Sequence, residues 1–591
     1  MHPATIILAI LSVCMLLFIW GRFRYDVIAL GGLMTAVLLH AVHFSDAYSG
    51  LSNPAVITVM CVMIMTRAIT LSGLVDKLVD KMVVASKSTT MHLCLLTGLA
   101  GILSGFMNNV AALALLMPVA IETAQRQKRS PSLVLMPLAF ASVLGGLVSL
   151  IGTPPNLLIA AFRQKSLGQP FAMFDFAKVG LSVAVVGIVF LALLGWRLLP
   201  ERRKAKASKA DLYQMQDYLS EIKIPDGSDM IGKPMSALET LVPGELIIVG
   251  LIREGQRKNI YNPSATVQAK DIFIIESSHD DLHQLVEVGK FELMVGQKLS
   301  SELLRSKEVD LIEAVVQPGS RVAGRSSQSL RLRSRLRINL LAIARHGSPL
   351  RKRIHELSLQ AGDVVLLQGE RENLIDGVVR LGLLPLVKRE AKKALTKRAM
   401  LPVFLFVAAI LASVFHVLPV QVAFTITALL MVVLDCLPMR FLYDSIDWSV
   451  IILLAAFIPL GGALQQTGGT AMIAQGFLHV SGHLSPAWVV GLLMFFTMTL
   501  SDLMNNAATT VIMAPIAMSL AQAYQVHVDP LLMAVAIGAS CSFLTPVAHQ
   551  NNTLVMGPGG YKFLDYMRLG LPLELLVLAV AWPMVLIMWP L

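Results

Sequence analysis

Charge is scarce in this 591-residue chain. Asp, Glu, Lys and Arg make up 15% of it, against 55% hydrophobic residues. Soluble domains carry about a quarter charged residues, so a water-exposed body is excluded for most of the chain. Signatures of chemistry are missing as well. No Walker A sequence is present, which removes the basis for direct ATP energisation. Neither H-E-x-x-H nor G-x-S-x-G occurs, and an enzyme is not expected. Gly557-Pro558-Gly559-Gly560-Tyr561 is not a potassium filter of the Thr-Val-Gly-Tyr-Gly kind. The five cysteines (Cys14, Cys61, Cys94, Cys436 and Cys541) form no C-x-x-C pair, so neither a disulfide framework nor a bound metal is indicated.

Long apolar runs fill the space that charge leaves. Mean hydropathy is +0.68. Thr5–Trp20, Val27–His40, Phe176–Trp196, Leu401–Val417, Val420–Leu434 and Leu571–Trp589 approach or reach the roughly 17–25 residues of a bilayer crossing. The first run has no basic leader region or small-residue cleavage site before it and is read as a retained helix. The net charge of +11 is unevenly placed: residues 201–398 hold 33 of the 49 Lys/Arg and 25 of the 38 Asp/Glu. This marks a soluble module between two membrane blocks, with a basic excess that fits the cytoplasmic face. Its mixed charge and sparse aromatics argue against a nucleic-acid partner.

Positive charges orient the first half. Arg22 and Arg24 put the first loop inside and the N-terminus outside. The next run returns outward and Ala55–Leu71 comes back in, leaving Lys77, Lys81 and Lys87 inside on a short amphipathic stretch. His92–Phe106, Met107-Asn108-Asn109 and Val110–Thr123 lie between those lysines and the cluster of Arg126, Lys128 and Arg129. Each arm is short for a crossing, and the polar pair falls at the turn. The expectation is a re-entrant hairpin with its tip near the midplane, where irregular backbone must be buried in protein or line a cavity. Leu133–Ile151 then runs outward and breaks at Gly152-Thr153-Pro154-Pro155-Asn156, where two prolines remove two backbone donors. The helix resumes at Leu157–Phe162, and Phe176–Trp196 returns to the cytoplasm.

The second half repeats this order. Ser104–Ala120 aligns with Ser501–Ala517 at an offset of 397 with seven of 17 positions identical, among them both Met-Asn-Asn motifs. At an offset of 396 the first break meets Ala548-His549-Gln550-Asn551-Asn552. Five crossings plus one hairpin per half would invert the second half, and inverted repeats with paired broken helices mark alternating-access transporters. Both termini are then external. The soluble module repeats too: at an offset of 92, Gly232 matches Gly324, Gly255 matches Gly347 and Asp271 matches Asp363. Its β-like runs are Glu245–Ile252, Ile272–Glu276, Ile338–Ala344 and Val364–Gln368, and helix-like tails follow at Asp280–Val288 and Glu372–Leu381. The expected fold is therefore an all-α polytopic membrane protein carrying a tandem of small α/β domains. Its parts are a membrane repeat at 1–200, tandem domains at 205–295 and 296–388, and a second repeat at 398–591, entered through the basic segment Lys388–Arg398.

Asn108, Asn109, Asn505 and Asn506 are the first candidate ligands. An amide offers oxygen to a cation and N–H to an oxyanion without burying a charge, and exposed helix ends add dipoles. The competing reading is that the pairs only cap their hairpins. Thr153, Asn156, His549, Gln550, Asn551 and Asn552 are polar groups in apolar surroundings, beside freed carbonyls that suit sodium. A packed proline kink is the plainer reading of the first break; four consecutive polar residues make the second costly in lipid. His549 fits a proton-linked switch, an anion contact or a structural histidine. Asp502 fits a cation ligand, a proton carrier or an interface carboxylate paired with Arg. Glu122 reads as a surface ion pair. Arg331, Arg333, Arg335 and Arg337 would share one strand face, suited to an anionic ligand or acidic lipid but more simply a solvated face.

These residues resemble the divalent anion:sodium symporters of the ion transporter superfamily, which place Ser-Asn-Thr at two hairpin tips and Thr-Pro-Pro-Asn in two unwound loops. The first loop here matches, Thr153-Pro154-Pro155-Asn156. The second loop, with its trailing Gly557-Pro558-Gly559-Gly560-Tyr561, is similar to the branch of sulfate carriers of algae and their bacterial relatives. The inserted tandem is similar to the TrkA C-terminal (RCK_C) domain. The resemblance covers essentially the whole chain. It implies two sodium sites, each built from a hairpin tip and the neighbouring loop: Ser104, Asn109, Gly152, Thr153 and Asn156 in one, and Ser501, Asp502, Asn506, Ala548, Asn551 and Asn552 in the other. It implies an anion between the tips, held by Asn108, Asn109, Asn505, Asn506, His549 and Gln550. It further implies an elevator-like movement in a homodimer, a bacterial inner-membrane location with residues 201–398 cytoplasmic, surrounding lipid, no organic cofactor, and a small regulatory ligand on the tandem. The tips depart from the family pattern at Asn108 and Asn505 and at Val110 and Ala507. This shifts the expectation from a dicarboxylate toward a compact oxyanion such as sulfate. A dicarboxylate symporter and a proton-coupled antiporter using Asp502 and His549 stand as alternatives, ahead of a gated channel or a ligand sensor.

Overall fold

The computed structural model describes residues 3–20, 23–73, 88–127, 129–200, 219–239, 241, 247–253, 256–258, 265–276, 279–293, 309–330, 332, 336, 338–345, 348–350, 357–370, 374, 377–378, 380–386, 400–415, 417–469, 472, 484–546 and 548–591. The amphipathic stretch with Lys77, Lys81 and Lys87, the alternating Arg331, Arg333, Arg335 and Arg337, and the segment 388–398 lie outside the described residues.

Two blocks of helices flank a pair of small sheets. In the first block, Pro3–Trp20, Tyr25–Leu38 and Pro54–Leu71 precede a hairpin of Thr89–Ser104 and Asn109–Arg126, and Leu135–Gly145, Pro154–Leu167 and Ala177–Leu193 follow. In the second, Leu401–Val414, Val420–Val433 and Trp448–Gln466 precede a hairpin of Pro486–Ser501 and Asn506–Tyr524, and Val528–Ser540, Gln550–Gly559 and Phe563–Met588 follow. Among the described residues, Pro131–Val148, Asn506–Tyr524 and Phe563–Met588 are long and apolar enough to cross a bilayer, and ten shorter apolar helices accompany them. The helices bury one continuous apolar core running from Ile7 to Val585.

The first break sits differently from the sequence expectation. Helical geometry ends at Gly145, continues as one 3-10 turn over Gly146–Val148, and resumes at Pro154. The prolines therefore do not interrupt the helix. They open its second segment, where the missing N–H has no intrahelical partner to lose and the fixed φ is already helical. In the second block the same role falls to Gln550, with His549 as the N-cap.

The first sheet comprises β1 (Leu219–Lys223), β2 (Ile247–Arg253), β3 (Gln256–Lys258), β4 (Ile272–Glu276) and β5 (Glu292–Leu293), in the order β3-β2-β4-β1-β5. The second comprises β6 (Val309–Val316), β7 (Ile338–Arg345), β8 (Ser348–Pro349), β9 (Val364–Glu370) and β10 (Leu383–Pro385), in the order β10-β6-β9-β7-β8. Read from opposite ends, the two orders are the same. Both sheets are antiparallel, and each has a register irregularity at the equivalent place, Ile248/Gly250 and Leu340/Ala342. Both also repeat one buried ion pair. Arg253 grips Asp271 through two bonds of 2.7 Å, and Arg345 grips Asp363 through two of 2.8 Å. Asp363 in turn holds the Arg345 guanidinium above its ordinary pKa. Each sheet has its own small core, around Phe273 in the first and Val365 in the second.

Candidate functional site

The two asparagines of each tip have different jobs. Asn108 Oδ1 accepts from the Val110 amide at 3.0 Å, and Asn505 Oδ1 accepts from the Ala507 amide at 2.9 Å. These are helix caps, satisfying donors that the first turn leaves open. Asn109 and Asn506 are buried and turn inward. Ser104 Oγ donates to Asn109 Oδ1 at 2.7 Å, and Ser501 Oγ donates to Asn506 Oδ1 at 3.1 Å. Capping thus accounts for the first residue of each pair and not for the second.

The broken segments mirror each other in the same way. Asn156 Nδ2 donates to the carbonyls of Gly146 at 3.3 Å and Ser149 at 2.8 Å. Asn552 Nδ2 donates to the carbonyls of Ser542 at 3.2 Å and Thr545 at 2.9 Å. Ser149 Oγ closes onto the Gly105 carbonyl, and Thr545 Oγ1 onto the Asp502 carbonyl. Each asparagine thereby ties off carbonyls that the break has freed, as buried backbone requires. Its own oxygen stays unused: Asn156 Oδ1 and Asn552 Oδ1 are buried with no hydrogen-bond partner among the described residues, as are Thr153 Oγ1 and Asn551 Oδ1. Oxygen atoms left without donors in a buried polar site suit a hard cation.

One polar network joins the two groups. Gly146 approaches Asn109 so closely that a Cβ there would stand 2.4 Å from Asn109 Oδ1. Asn551 Nδ2 donates to the Asn109 carbonyl at 3.2 Å and to Ser142 Oγ at 2.7 Å, reaching from the second break into the first block. Ser542 Oγ donates to Asn506 Oδ1 at 3.1 Å, and Asn506 Nδ2 is left buried without a partner among the described residues. Four helices start at this network: Asn109–Arg126, Pro154–Leu167, Asn506–Tyr524 and Gln550–Gly559. Their N-terminal ends bring partial positive charge to it.

Of the other expected residues, Gly152 is buried where the first break folds back, with no room for a Cβ beside the Gly146 carbonyl. Ala548 is buried and Gln550 half-buried. His549 Nδ1 accepts from the Asn551 amide at 3.0 Å, a helix-capping and so structural role among the three set out for it. Glu122 pairs with Arg126 across one helical turn, as expected. Asp502 accepts from the Leu544 amide at 3.0 Å, and no arginine pairs with it among the described residues. The preceding amide, Phe543, donates to Glu574 Oε1 at 3.0 Å, so two buried carboxyls sit side by side at the second break. Glu574 was not anticipated, although an acid inside the Leu571–Trp589 run was a legible signal. Ser142, in a helix, and Ser149, Ser542 and Thr545, in the breaks, were also missed; single small hydroxyls in apolar surroundings carry no pattern of their own.

Helices of bilayer length around a buried polar network describe a membrane transporter. Residues 15–588 match the citrate transporter (CitMHS) family, and the chain belongs to that family within the ion transporter superfamily. It is a multi-pass membrane protein and a transporter, not an enzyme. It is 31% identical over 98% of its length to an uncharacterized transporter of Synechocystis sp., covering 95% of that protein. Sodium/sulfate cotransporter 2 of Chlamydomonas reinhardtii is 22% identical over 62% of this chain and 42% of its own length. Among solved structures, the YdaH transporter of Alcanivorax borkumensis is similar at 11% identity and a TM-score of 0.44, covering 99% of this chain and 98% of that one.

Proposed function

We propose that the protein is a secondary active symporter that carries a small divalent anion, sulfate in the first place, with sodium. The carrying observation is the mirrored pair of groups in which a break asparagine satisfies two freed carbonyls and keeps its own buried oxygen unused. In this reading one sodium takes oxygens from Ser104, Asn109, Thr153 and Asn156, and a second from Ser501, Asn506, Asn551 and Asn552, with Asp502 adjacent. The anion lies between the tips, where Asn506 Nδ2, without a partner among the described residues, and four helix N-termini offer N–H groups. Val110 and Ala507 stand where the resembling family has threonine, which favours a compact oxyanion over a dicarboxylate. The algal relative's name, sodium/sulfate cotransporter, points the same way.

The halves then act as an inverted repeat with re-entrant hairpins, moving against a dimeric scaffold in the inner membrane with the sheet tandem, read as RCK_C domains, in the cytoplasm. The Asp502–Glu574 pair favours one second reading, a proton-coupled carrier on the same fold. Thermal unfolding of purified protein with sulfate, thiosulfate, molybdate, succinate and citrate, each with and without sodium, tests both. Stabilisation by sulfate that requires sodium supports the symporter. Stabilisation by an anion irrespective of sodium favours the second reading.

A further inference from the structure

The two sheets share a topology and a four-residue turn that differs at one position, and that difference coincides with a contact to the membrane helices. In the first sheet the turn before β4 runs Gln268-Ala269-Lys270-Asp271, with Lys270 in the left-handed region at φ 66°. In the second the equivalent turn before β9 is Gln360-Ala361-Gly362-Asp363, with Gly362 at φ 87°. Both turns are held identically: the amides of Gln268 and Gln360 donate to the Asp271 and Asp363 carboxylates, which Arg253 and Arg345 grip from the other side. The left-handed turn favours glycine at φ 87°, but it does not require one, since Lys270 occupies the equivalent position at φ 66°.

Its surroundings do. Lys270 is exposed. Gly362 lies against the helix Gln550–Gly559: a Cβ on it would stand 2.9 Å from the Thr553 carbonyl. The fit is reciprocal, since a Cβ on Gly557 would stand 2.1 Å from the Gly362 carbonyl and 2.9 Å from Val364. Val364, Leu366, Leu311 and Val315 of this sheet belong to the same continuous apolar core as the membrane helices. The helix so gripped begins at Gln550 and carries Asn551 and Asn552 in its first turn, while Tyr566 fixes the Asn552 carbonyl from the other side at 2.7 Å.

We propose that the second sheet is a clamp on the helix Gln550–Gly559, so that Gly362 and Gly557 are positioning residues for the second cation site. This rests on the reading of Asn551 and Asn552 as cation ligands for its transport consequence, and on geometry alone for the clamp itself. Placing the first copy's lysine at this turn, Gly362→Lys, adds some backbone strain at φ 87° and drives a side chain into Thr553. Lys270→Gly in the first sheet is the control, because that turn faces water.

The full-length protein in detergent is followed by hydrogen exchange over residues 553–560, and in proteoliposomes by the sodium dependence of sulfate uptake. The clamp predicts that Gly362→Lys lowers amide protection over 553–560 at least tenfold and raises half-saturating sodium at least fivefold, with Lys270→Gly within twofold of wild type on both. Gly557→Ala, an intrusion on the same contact from the helix side, shifts both in the same direction. Unchanged protection in Gly362→Lys overturns the clamp. Lost protection with unchanged sodium dependence overturns the positioning role. Wild-type uptake that ignores sodium refutes the symport reading, while the exchange measurement still decides the clamp.

Discussion

Replacing Asn506 with Ala separates a ligand from a strut. Asn506 Oδ1 accepts from Ser501 and Ser542, but Ser501 Oγ has a shorter bond, 2.7 Å, to the Ala539 carbonyl and keeps it when the amide is gone. The buried Ser542 Oγ loses this acceptor, so the structural loss is about 1–3 kcal/mol. A bond to a charged group is worth about 1.5–3 kcal/mol, so losing a cation contact should weaken sodium binding roughly 10- to 150-fold. The Nδ2, without a partner among the described residues, adds a loss on the anion side. In proteoliposomes, half-saturating sodium for sulfate uptake should rise at least tenfold, while thermal unfolding in detergent shifts by only a few degrees. A folded variant whose sodium dependence stays within twofold of wild type would refute the assignment.

Tyr561→Phe should do the reverse. The hydroxyl donates to the Ser132 carbonyl and accepts from the Met136 amide, and its loss removes both buried bonds at about 0.5–1.5 kcal/mol each. Unfolding temperature should drop sharply, with sodium dependence unchanged in the folded fraction. Arg345→Ala strands the buried Asp363 carboxylate and should destabilise the second sheet by roughly 3 kcal/mol, the low end for buried pairs because the guanidinium keeps 21% of its surface exposed. Denaturant unfolding followed by exchange in β7 and β9 checks this. Burial raises the Glu221 carboxyl above its ordinary pKa, so ionising it in the fold costs stability, and that cost grows as pH rises through the raised value. Glu221→Gln should stabilise the first sheet near neutral pH and flatten that decline in a pH series of melts.

The parts that were legible share one property: they repeat. Met-Asn-Asn recurs at an offset of 397, and the paired breaks recur at 396. The hydrogen bonds of Asn156 and Asn552 follow the same offset atom for atom. The edges of the break were not legible, because proline reads as a breaker when it can equally open a helix, as Pro154 does. Strands β1 and β6 escaped notice because short alternating runs beside charged segments carry weak signals. Glu574 was absorbed into an apolar run. The division of labour within each Asn pair depends on which side chain turns toward the helix end, and composition does not encode that. The glycine at position 362 acquires meaning only beside Lys270 and Thr553 together.

The central claim is coupled movement of an anion with sodium through the paired groups. The most direct measurement is uptake of labelled sulfate into proteoliposomes containing the purified protein, under an imposed inward sodium gradient, an imposed proton gradient, or neither. The account predicts accumulation driven by sodium and abolished in Asn109→Ala and Asn506→Ala. Accumulation driven by protons and indifferent to sodium, or equal uptake by both variants and wild type, would contradict it.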